Sequence, residues 1–293
     1  MPTAVNLDGR LLPPAEARLP VQDRAVLMGD SVYEVLRTYG RRPFELDLHL
    51  ARLWRSAALS GLEPPWNGER CAAEVLRTLA ASLGGDLPDA EAAPWNSSER
   101  SLRVLMTRGG GEAAPEVAPA AVVIAEPLHG PPLRAYREGV KVVLVEASRR
   151  RADPAAKTGS RLSHVLAQRA ARAAGAHEAL FAEADGTVTE GTSSNLFAVR
   201  AGQLLTPPLE AGILEGVTRG VVLRLALAAG VPLEERPLAA SDLASADELF
   251  LTSTSREILP VTGLGDARVG VGRPGPITLA LHAAFRRLAE ASV

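Results

Sequence analysis

The stretch DPAAKTGSRLSHVL, from Asp153 to Leu166, contains Lys157, one of only two lysines in the chain. The other is Lys141, and every remaining basic residue of the 32 is an arginine. Arginine stays charged at any ordinary pH, whereas a buried lysine can lose its proton and become a nucleophile. An incidental surface lysine would give the same count. The stretch alone therefore marks Lys157 only as a candidate for amine chemistry.

The composition around this lysine excludes several classes of protein. At 293 residues, with 46% hydrophobic content and a formal charge of −2, the chain is long enough for two domains. Its arginines are spread among acidic residues with no basic block, which argues against nucleic acid as a partner. It has no apolar run of about 18 residues and no signal-peptide layout at its start. We therefore expect no membrane segment and a cytoplasmic location.

The number and spacing of cysteine and histidine residues limit the kinds of cofactor to be expected. Cys71 is the sole cysteine, so no internal disulfide is possible. The five histidines are too dispersed for a local zinc motif. We expect no metal site and, if there is a cofactor, an organic one.

A proline-rich segment divides the chain. PLHGPPLRAYREG, starting at Pro127, follows the strand-like run AAVVIAE. We predict a small α/β domain over residues 1–126, a linker over 127–138 and a larger domain over 139–293. Before the linker, VNLDGRLL, SVYEVLRTYG and SLRVLMTRG are typical of strands, a helix starts at Asp47, and the stretch 84–99 is typical of an exposed loop.

After the linker, strands and helices alternate irregularly. VKVVLVEAS, EALFAEA, TVTEGTSSNLFAVR and QLLTPP are typical of strands, and RLSHVLAQRAARAAG of a helix. This mixture predicts an α+β fold. A further helix beginning near Gly216 would leave amides at its start free to bind an anion, although an ordinary helix start has the same pattern.

Two short motifs are incidental. Lys157-Thr158-Gly159 matches the K-T-G of penicillin-recognising serine hydrolases, but neither lysine has a serine three residues before it. The triple glycine starting at Gly109 precedes no Gly-Lys-Ser/Thr and opens no G-x-G-x-x-G, so it does not indicate a phosphate loop.

Several ordered motifs together resemble the class IV aminotransferases, the fold type IV family of pyridoxal-phosphate enzymes. They are Lys157, GTVTEGTSSNLF, GILEGVTRGVV and ELFLTSTSREILPV, with GDSVYEVLRTYG and HLARLWRSA upstream. The family includes branched-chain and D-amino acid aminotransferases, (R)-amine transaminases and aminodeoxychorismate lyase. The resemblance covers nearly the whole chain and implies a two-domain α+β fold like that of the D-amino acid aminotransferases.

The resemblance implies a role for each motif. Lys157 would bind pyridoxal 5'-phosphate as an imine and then move the substrate proton. Glu190 would keep the pyridine nitrogen protonated. The phosphate would be held by charge, hydroxyls and helix-start amides. The cofactor-binding set implied in this way is Arg52, Lys157, Glu190, Asn195, Gly216, Val217, Thr218, Ser253 and Thr254.

The substrate residues are less uniform among the subgroups. Tyr33-x-Val35 resembles the D-amino acid aminotransferases, yet the Arg-x-His pair of those enzymes is missing after SLRVLMTRG. Arg103 occupies the place where branched-chain enzymes have an arginine, and it could bind a carboxylate if it points inward. Because side chains alternate along a strand, the sequence leaves its direction open. Arg161 departs from the branched-chain pattern and resembles the lyase branch.

We therefore predict an aminotransferase that moves an amino group between an α-amino acid, of the branched-chain L- or D-type, and a 2-oxo acid. The resemblance implies a homodimer. Two alternatives remain open: a 4-amino-4-deoxychorismate lyase on the same scaffold, and a pyridoxal-phosphate-binding protein without turnover.

Overall fold

The computed structural model describes residues 3–84, 99–147 and 155–292. The chain forms two compact units: the first comprises residues 1–129, 156–161 and 289–293, and the second comprises residues 130–155 and 162–288. Most of the predicted loop at 84–99 lies outside the described residues. The predicted linear division at 127–138 does not anticipate that residues 156–161 pack with the first unit.

The first unit is a six-stranded sheet in the order β2-β1-β6-β5-β3-β4 with helices on one face. Its elements are β1 (Ala4–Leu7), β2 (Arg10–Leu12), α1 (Arg24–Met28), β3 (Ser31–Tyr39), β4 (Arg42–Pro43), α2 (Leu46–Leu59), α3 (Gly68–Ser82), β5 (Arg100–Thr107) and β6 (Ala121–Pro127).

The alternation of side chains along β3 and β5 determines which of their residues pack against α2 and α3. Val32 and Leu36 of β3 and Met106 of β5 are fully buried and pack with Leu53 of α2 and Val75 of α3. Since successive side chains of a strand point to opposite faces, the residues between them point away from these helices. That second face carries the residues of β3 and β5 that matter for the site.

The second unit is built around a ten-stranded sheet. Its elements are α4 (Leu133–Glu138), β7 (Val140–Glu146), α5 (Leu162–Ala173), β8 (Glu178–Ala182), β9 (Thr187–Gly191), β10 (Asn195–Arg200), β11 (Gln203–Thr206), α6 (Val217–Ala228), β12 (Leu233–Glu235), β13 (Leu238–Ala239), α7 (Ala240–Ala244), β14 (Glu248–Ser253), β15 (Glu257–Leu264), β16 (Ala267–Arg268) and α8 (Pro276–Ala291).

The strands of this sheet close on themselves. They run in the order β10-β14-β15-β7-β8-β9, and β9 pairs with β10 through Glu190 and Asn195. The ring encloses an apolar core that includes Val142, Leu180 and Leu251. Closure therefore takes place at two residues that the sequence assigned to cofactor binding.

Two sheets combined with helices confirm the predicted α+β class. Three details differ from the sequence-based expectations. TVTEGTSSNLFAVR is two strands, because the chain turns back at residues 192–194. The predicted linker contains the short helix α4, and the sequence analysis did not predict the C-terminal helix α8. Within the described residues, no helix has the length and apolar character needed to cross a membrane.

Candidate active site

Backbone hydrogen bonds fix the position of Lys157. The Tyr33 amide donates to the Lys157 carbonyl oxygen at 3.0 Å, and the Gly159 amide donates to the Ser31 carbonyl oxygen at 2.8 Å. The amide of Lys157 itself donates to Ser56 Oγ on α2 at 3.0 Å. Residues around Thr158 thus form a short antiparallel bridge with β3. Lys157 lies outside the named strands, but its backbone is held against β3.

The side chain of Lys157 is half-buried beside Tyr33. Its Nζ lies 4.9 Å from the centroid of the Tyr33 ring, and Tyr33 is 5% exposed. An ammonium over an aromatic face is stabilised by the ring quadrupole, so the Tyr33 ring helps to position this amine.

Two arginines lie around the same ring. Arg161 donates from Nη1 to the Tyr33 hydroxyl oxygen, and its guanidinium carbon is 5.8 Å from the ring centroid. The guanidinium carbon of Arg103 is 5.2 Å from that centroid. Arg103 is directly opposite Val35 in the sheet and is exposed, whereas Met106 is buried on the helix side. The direction left open by the sequence is therefore settled: Arg103 shares a face with Tyr33.

Arg52 points to the helix-covered face of β3, where it pairs with Glu34. Its Nε and Nη2 donate to the Glu34 carboxylate at 2.6 and 2.8 Å, and His49 Nδ1 lies 2.9 Å from the same group. Burial alone would raise the pKa of Glu34, but the charge and hydrogen bonds of Arg52, aided by His49, lower it to about 2. Burial, with the nearby charges of Arg52 and Lys157, lowers the pKa of His49. At neutral pH this is a buried carboxylate–guanidinium pair with a neutral imidazole.

In the second unit, Glu190 and Asn195 hold one turn of backbone. Glu190 Oε2 accepts the Leu214 amide at 3.0 Å, and Asn195 Nδ2 donates to the Leu214 carbonyl oxygen at 2.8 Å. A Cβ added to Gly216 would collide with Asn195 Oδ1, so glycine is required for this close approach. Both side chains are more than nine-tenths buried.

The held turn leads directly into α6. Gly216 is the N-cap and provides no side-chain cap, and Val217 and Thr218 form the first turn. Arg219 is buried there and donates from Nη2 to the Pro207 carbonyl oxygen at 2.9 Å. The amides at the start of the helix point along its axis, which favours an anion at this end.

Arg256 ties the turn that carries Thr254 to the turn between β9 and β10. Its Nε donates to Ser253 Oγ at 3.0 Å, and its Nη2 donates to Ser193 Oγ at 2.7 Å. Its Nη1 donates to Glu178 Oε2 at 2.5 Å. Burial alone would raise the pKa of Glu178, but the Arg256 charge and the bonds from residues 192–193 lower it below the usual range.

Buried polar atoms test whether these residues suit a polar ligand. Among the described residues, Ser194 Oγ and Thr252 Oγ1 are buried and have no hydrogen-bond partner. Thr252 lies opposite Asn195 in the sheet. Since buried hydroxyls are usually satisfied, such atoms at a strand end fit a site that receives a polar group. Each unit by itself offers groups of the kind that a phosphorylated pyridine cofactor requires: the first has the Lys157 amine, and the second has a buried carboxylate and hydroxyls. The described residues contain no cluster suited to a metal.

Sequence reasoning missed four residues of these networks: Glu34, Glu178, Arg219 and Arg256. A carboxylate inside a strand-like run, as Glu34 is in SVYEVLRTY, was one available signal. Glu178 and Arg256 are 78 positions apart and Glu34 and Arg52 are 18 apart, so no local pattern identifies either pair.

Comparisons with known proteins agree with the motifs. The family described as "Amino-transferase class IV" matches residues 31–264. The D-alanine aminotransferase of Bacillus licheniformis is 31% identical over 291 residues, which cover 96% of this chain and 95% of the relative.

Solved structures give the same result. The branched-chain aminotransferase of Thermoproteus uzoniensis, solved with norvaline, has a TM-score of 0.85 and 32% identity, covering 98% of this chain and 95% of that one. The T.th. branched-chain amino acid aminotransferase, complexed with N-(5'-phosphopyridoxyl)-L-glutamate, has a TM-score of 0.85 and 27% identity, covering 98% and 94%. These likenesses confirm the predicted family and its two-domain type of fold.

Proposed function

The chain belongs to the class IV aminotransferase family, and on that premise we propose that it uses pyridoxal 5'-phosphate to transfer the amino group of an α-amino acid to a 2-oxo acid. The observation that carries this proposal is the fixing of Lys157. A scarce residue type is held by three hydrogen bonds and presents its amine over a buried tyrosine ring.

Bound pyridoxal 5'-phosphate supplies an electrophilic aldehyde carbon and a ring that withdraws electrons from the substrate. Lys157 would bind that carbon, and Glu190 would keep the ring nitrogen protonated because a nearby carboxylate favours the cationic form. The phosphate would be held by Arg52, Gly216, Val217, Thr218, Ser253 and Thr254. Because Arg52 Nε and Nη2 donate to Glu34 in this structure, that role requires the guanidinium to turn part of its fork toward the phosphate. Asn195 would act by holding the backbone at Leu214 and Gly216.

Lys157 would also act as the base. When it is not bonded to the cofactor, Lys157 Nζ would accept the proton from the substrate α-carbon and would donate it to the aldehyde-derived carbon of the cofactor. This role requires a neutral amine for part of the cycle.

For the substrate, we propose an α-amino acid and, as acceptor, 2-oxoglutarate or pyruvate. Arg103 supports a carboxylate-bearing substrate because it is exposed beside Tyr33 and forms no salt bridge with any described residue. Guanidinium and carboxylate groups match in bidentate geometry. A panel of L- and D-amino acids determines which enantiomer the enzyme accepts.

We also propose a homodimer. Helix α1 of the first unit buries none of its residues, and Val26, Leu27 and Met28 are each more than half exposed. Three consecutive exposed apolar residues are typical of a surface that another protein covers. A cytoplasmic location stays a prediction from the sequence.

The test is spectroscopic. Purified protein incubated with pyridoxal 5'-phosphate should show a visible band that borohydride abolishes, and the band should decay when a substrate amino acid is added. A panel of L- and D-amino acids, simple amines and aminodeoxychorismate then identifies the substrate. A stable band that no compound alters would contradict an enzymatic role, and pyruvate release from aminodeoxychorismate would favour the lyase.

A further inference from the structure

Arg256 links two turns of the second unit that are distant in sequence. It lies in the turn between β14 and β15, at residues 254–256, and reaches the turn between β9 and β10, at residues 192–194. Its Nη2 donates to the Ser193 carbonyl oxygen at 3.0 Å and to Ser193 Oγ at 2.7 Å. Arg256 and Ser193 are 63 positions apart, so the guanidinium joins segments that the chain does not connect locally.

Glu178 supplies the counter-charge that keeps Arg256 in this position. Its Oε2 accepts from Arg256 Nη1 at 2.5 Å, and its Oε1 accepts the Ser193 amide at 2.6 Å. The carboxylate is fully buried, and the side chain of Arg256 is 13% exposed. Since hydrogen bonds between charged groups are shorter and stronger than neutral ones, this pair holds the guanidinium in one place.

The bond from Arg256 also sets the direction of the Ser253 hydroxyl. A guanidinium has only donors, so Ser253 Oγ accepts from Arg256 Nε at 3.0 Å and its own proton points elsewhere. Accepting a bond from a cation polarises the hydroxyl and strengthens the bond that it donates. Arg256 therefore prepares Ser253 to donate to an anion, and phosphate oxygens are strong acceptors of such bonds.

The two segments joined by Arg256 also carry buried hydroxyls without partners. Ser194 follows Ser193 and Thr252 precedes Ser253. Among the described residues, Ser194 Oγ and Thr252 Oγ1 are buried and form no hydrogen bond, and both side chains belong to residues that are more than nine-tenths buried. Because buried hydroxyls are usually satisfied, these two indicate that a polar group is received where the two segments meet.

We propose that Arg256, with Glu178 as its counter-charge, is a positioning residue for the phosphate group of the cofactor. It orients the Ser253 hydroxyl as a donor and fixes the turn that carries Thr254. This inference rests on the proposed function, which assigns Ser253 and Thr254 to the phosphate. The Nε, Nη1 and Nη2 atoms of Arg256 each donate to a protein atom. Arg256 therefore acts through the serine and the turn, without contacting the phosphate itself.

A comparison of pyridoxal 5'-phosphate with pyridoxal isolates the contribution of the phosphate, because both compounds carry the aldehyde and the ring. Each is titrated into the apoprotein, and the visible band reports binding. Arg256→Gln should weaken pyridoxal 5'-phosphate about tenfold or more, as expected for loss of charge-assisted bonds, and should change pyridoxal by less than about twofold. The ratio of the two dissociation constants is the readout, since a purely structural defect would weaken both compounds alike.

Arg236→Gln is the matched control. Arg236 is another guanidinium of the second unit that is paired with a carboxylate, that of Asp242 at 2.9 Å. Its replacement removes the same charge from the same unit and should leave the ratio unchanged. Phosphorus NMR of the loaded proteins provides a second readout: the resonance of the bound phosphate should shift in Arg256→Gln and not in Arg236→Gln. Identical spectra for wild type and Arg256→Gln would overturn the proposal.

Ser253→Ala tests whether Arg256 acts through the serine. It removes the oriented hydroxyl and should lower the preference for the phosphorylated compound, with clearly less than the product of the two losses when Arg256→Gln is added. Losses that multiply fully would overturn this link. Arg256→Lys keeps a charge beside Glu178, but one amino group cannot also reach Ser253 and Ser193. It should keep the wild-type melting temperature and show a reduced preference.

The outcomes separate this inference from the proposed function. If wild type forms a borohydride-sensitive band and prefers the phosphorylated compound, but Arg256→Gln and Arg256→Lys keep that preference, the assignment of Arg256 is wrong and the enzyme class stands. Equal weakening of both compounds in Arg256→Gln would also overturn it. If Arg256→Gln does not fold, an unchanged preference in Arg256→Lys overturns the proposal and a reduced one supports it. If wild type forms no such band with either compound, the proposed function fails and this inference fails with it.

Discussion

Two regions differ in how their charged side chains are paired: the face of β3 around Tyr33 and Lys157 in the first unit, and the ring of strands that closes at Glu190 and Asn195 in the second unit. Around Tyr33, three cations lie on a partly exposed face, and Arg103 has no ion-pair partner among the described residues. In the ring, Glu178 is buried and paired with Arg256, and Glu190 accepts a backbone amide. Under the proposed function, the first region binds the substrate carboxylate through Arg103, and the polar groups of the second hold its own backbone in place.

The strongest test of the first region is Lys157→Ala. It should remove the visible band and at least about four orders of magnitude of rate, because both the covalent attachment and the proton carrier are lost. Spectra and half-reaction rates measure the effect. Lys141→Ala is the control, since Lys141 only forms a partly exposed pair with Asp266 and should keep both properties. Near-normal turnover in Lys157→Ala would contradict the assignment of the site.

The next effect concerns stability and compares the buried ion pair of the first unit with an exposed ion pair of the second. Glu34→Gln should lower the free energy of unfolding by roughly 3–5 kcal/mol, because Arg52 would remain buried without its counter-charge. Urea denaturation at neutral pH measures this loss. Asp266→Asn, which breaks only the exposed pair with Lys141, should cost under about 1 kcal/mol.

The same carboxylate gives a pH dependence with a definite sign. Its pKa is lowered from 4.5 to about 2 in the folded protein, so Glu34 stabilises the fold above 4.5 and this contribution disappears as the pH falls toward 2. Wild type should lose stability across that window, and Glu34→Gln should show a flatter profile there. Parallel profiles for the two proteins would contradict the buried pairing.

Glu190→Gln tests the second region. The amide oxygen of glutamine can still accept from Leu214, so the turn and the cofactor should remain, but a neutral side chain cannot hold the ring nitrogen protonated. We expect proton abstraction to slow by about a hundredfold, measured as the single-turnover decay of the visible band. Glu210→Gln, at an exposed position of the same unit, should react like wild type. An equal rate in Glu190→Gln would exclude Glu190 as the partner of the ring.

Local sequence patterns predicted the strands and helices, whereas the arrangement of side chains in the candidate site depends on contacts between residues that are far apart in sequence. The strand SVYEVLRTYG and the helix after Gly216 were predictable because alternation and helix-start patterns are local. The bond from Arg161 to Tyr33 joins residues 128 positions apart, and Arg256 reaches Glu178 across 78. Neither residue type nor spacing encodes such a pair. The direction of Arg103 became known only when the register of β3 and β5 fixed which residues share a face.

The smallest effect is expected for Arg103→Ala. The Arg103 side chain is exposed and forms no salt bridge with any described residue, so its removal should leave the fold and the visible band intact. For dicarboxylic substrates such as glutamate, the KM should rise about tenfold or more, as expected for losing roughly 1.5–3 kcal/mol of a charge-assisted bond.

Monocarboxylic amino acids provide the internal control for this variant, since they carry no second carboxylate for Arg103 to bind. Their KM should change by less than about twofold in Arg103→Ala, and the ratio between the two substrate classes is the quantity to measure. Unchanged glutamate kinetics would show that the exposed cation of the first region does not select the substrate. A wild-type preference for amines without any carboxylate would contradict the whole interpretation of this face as an anion site.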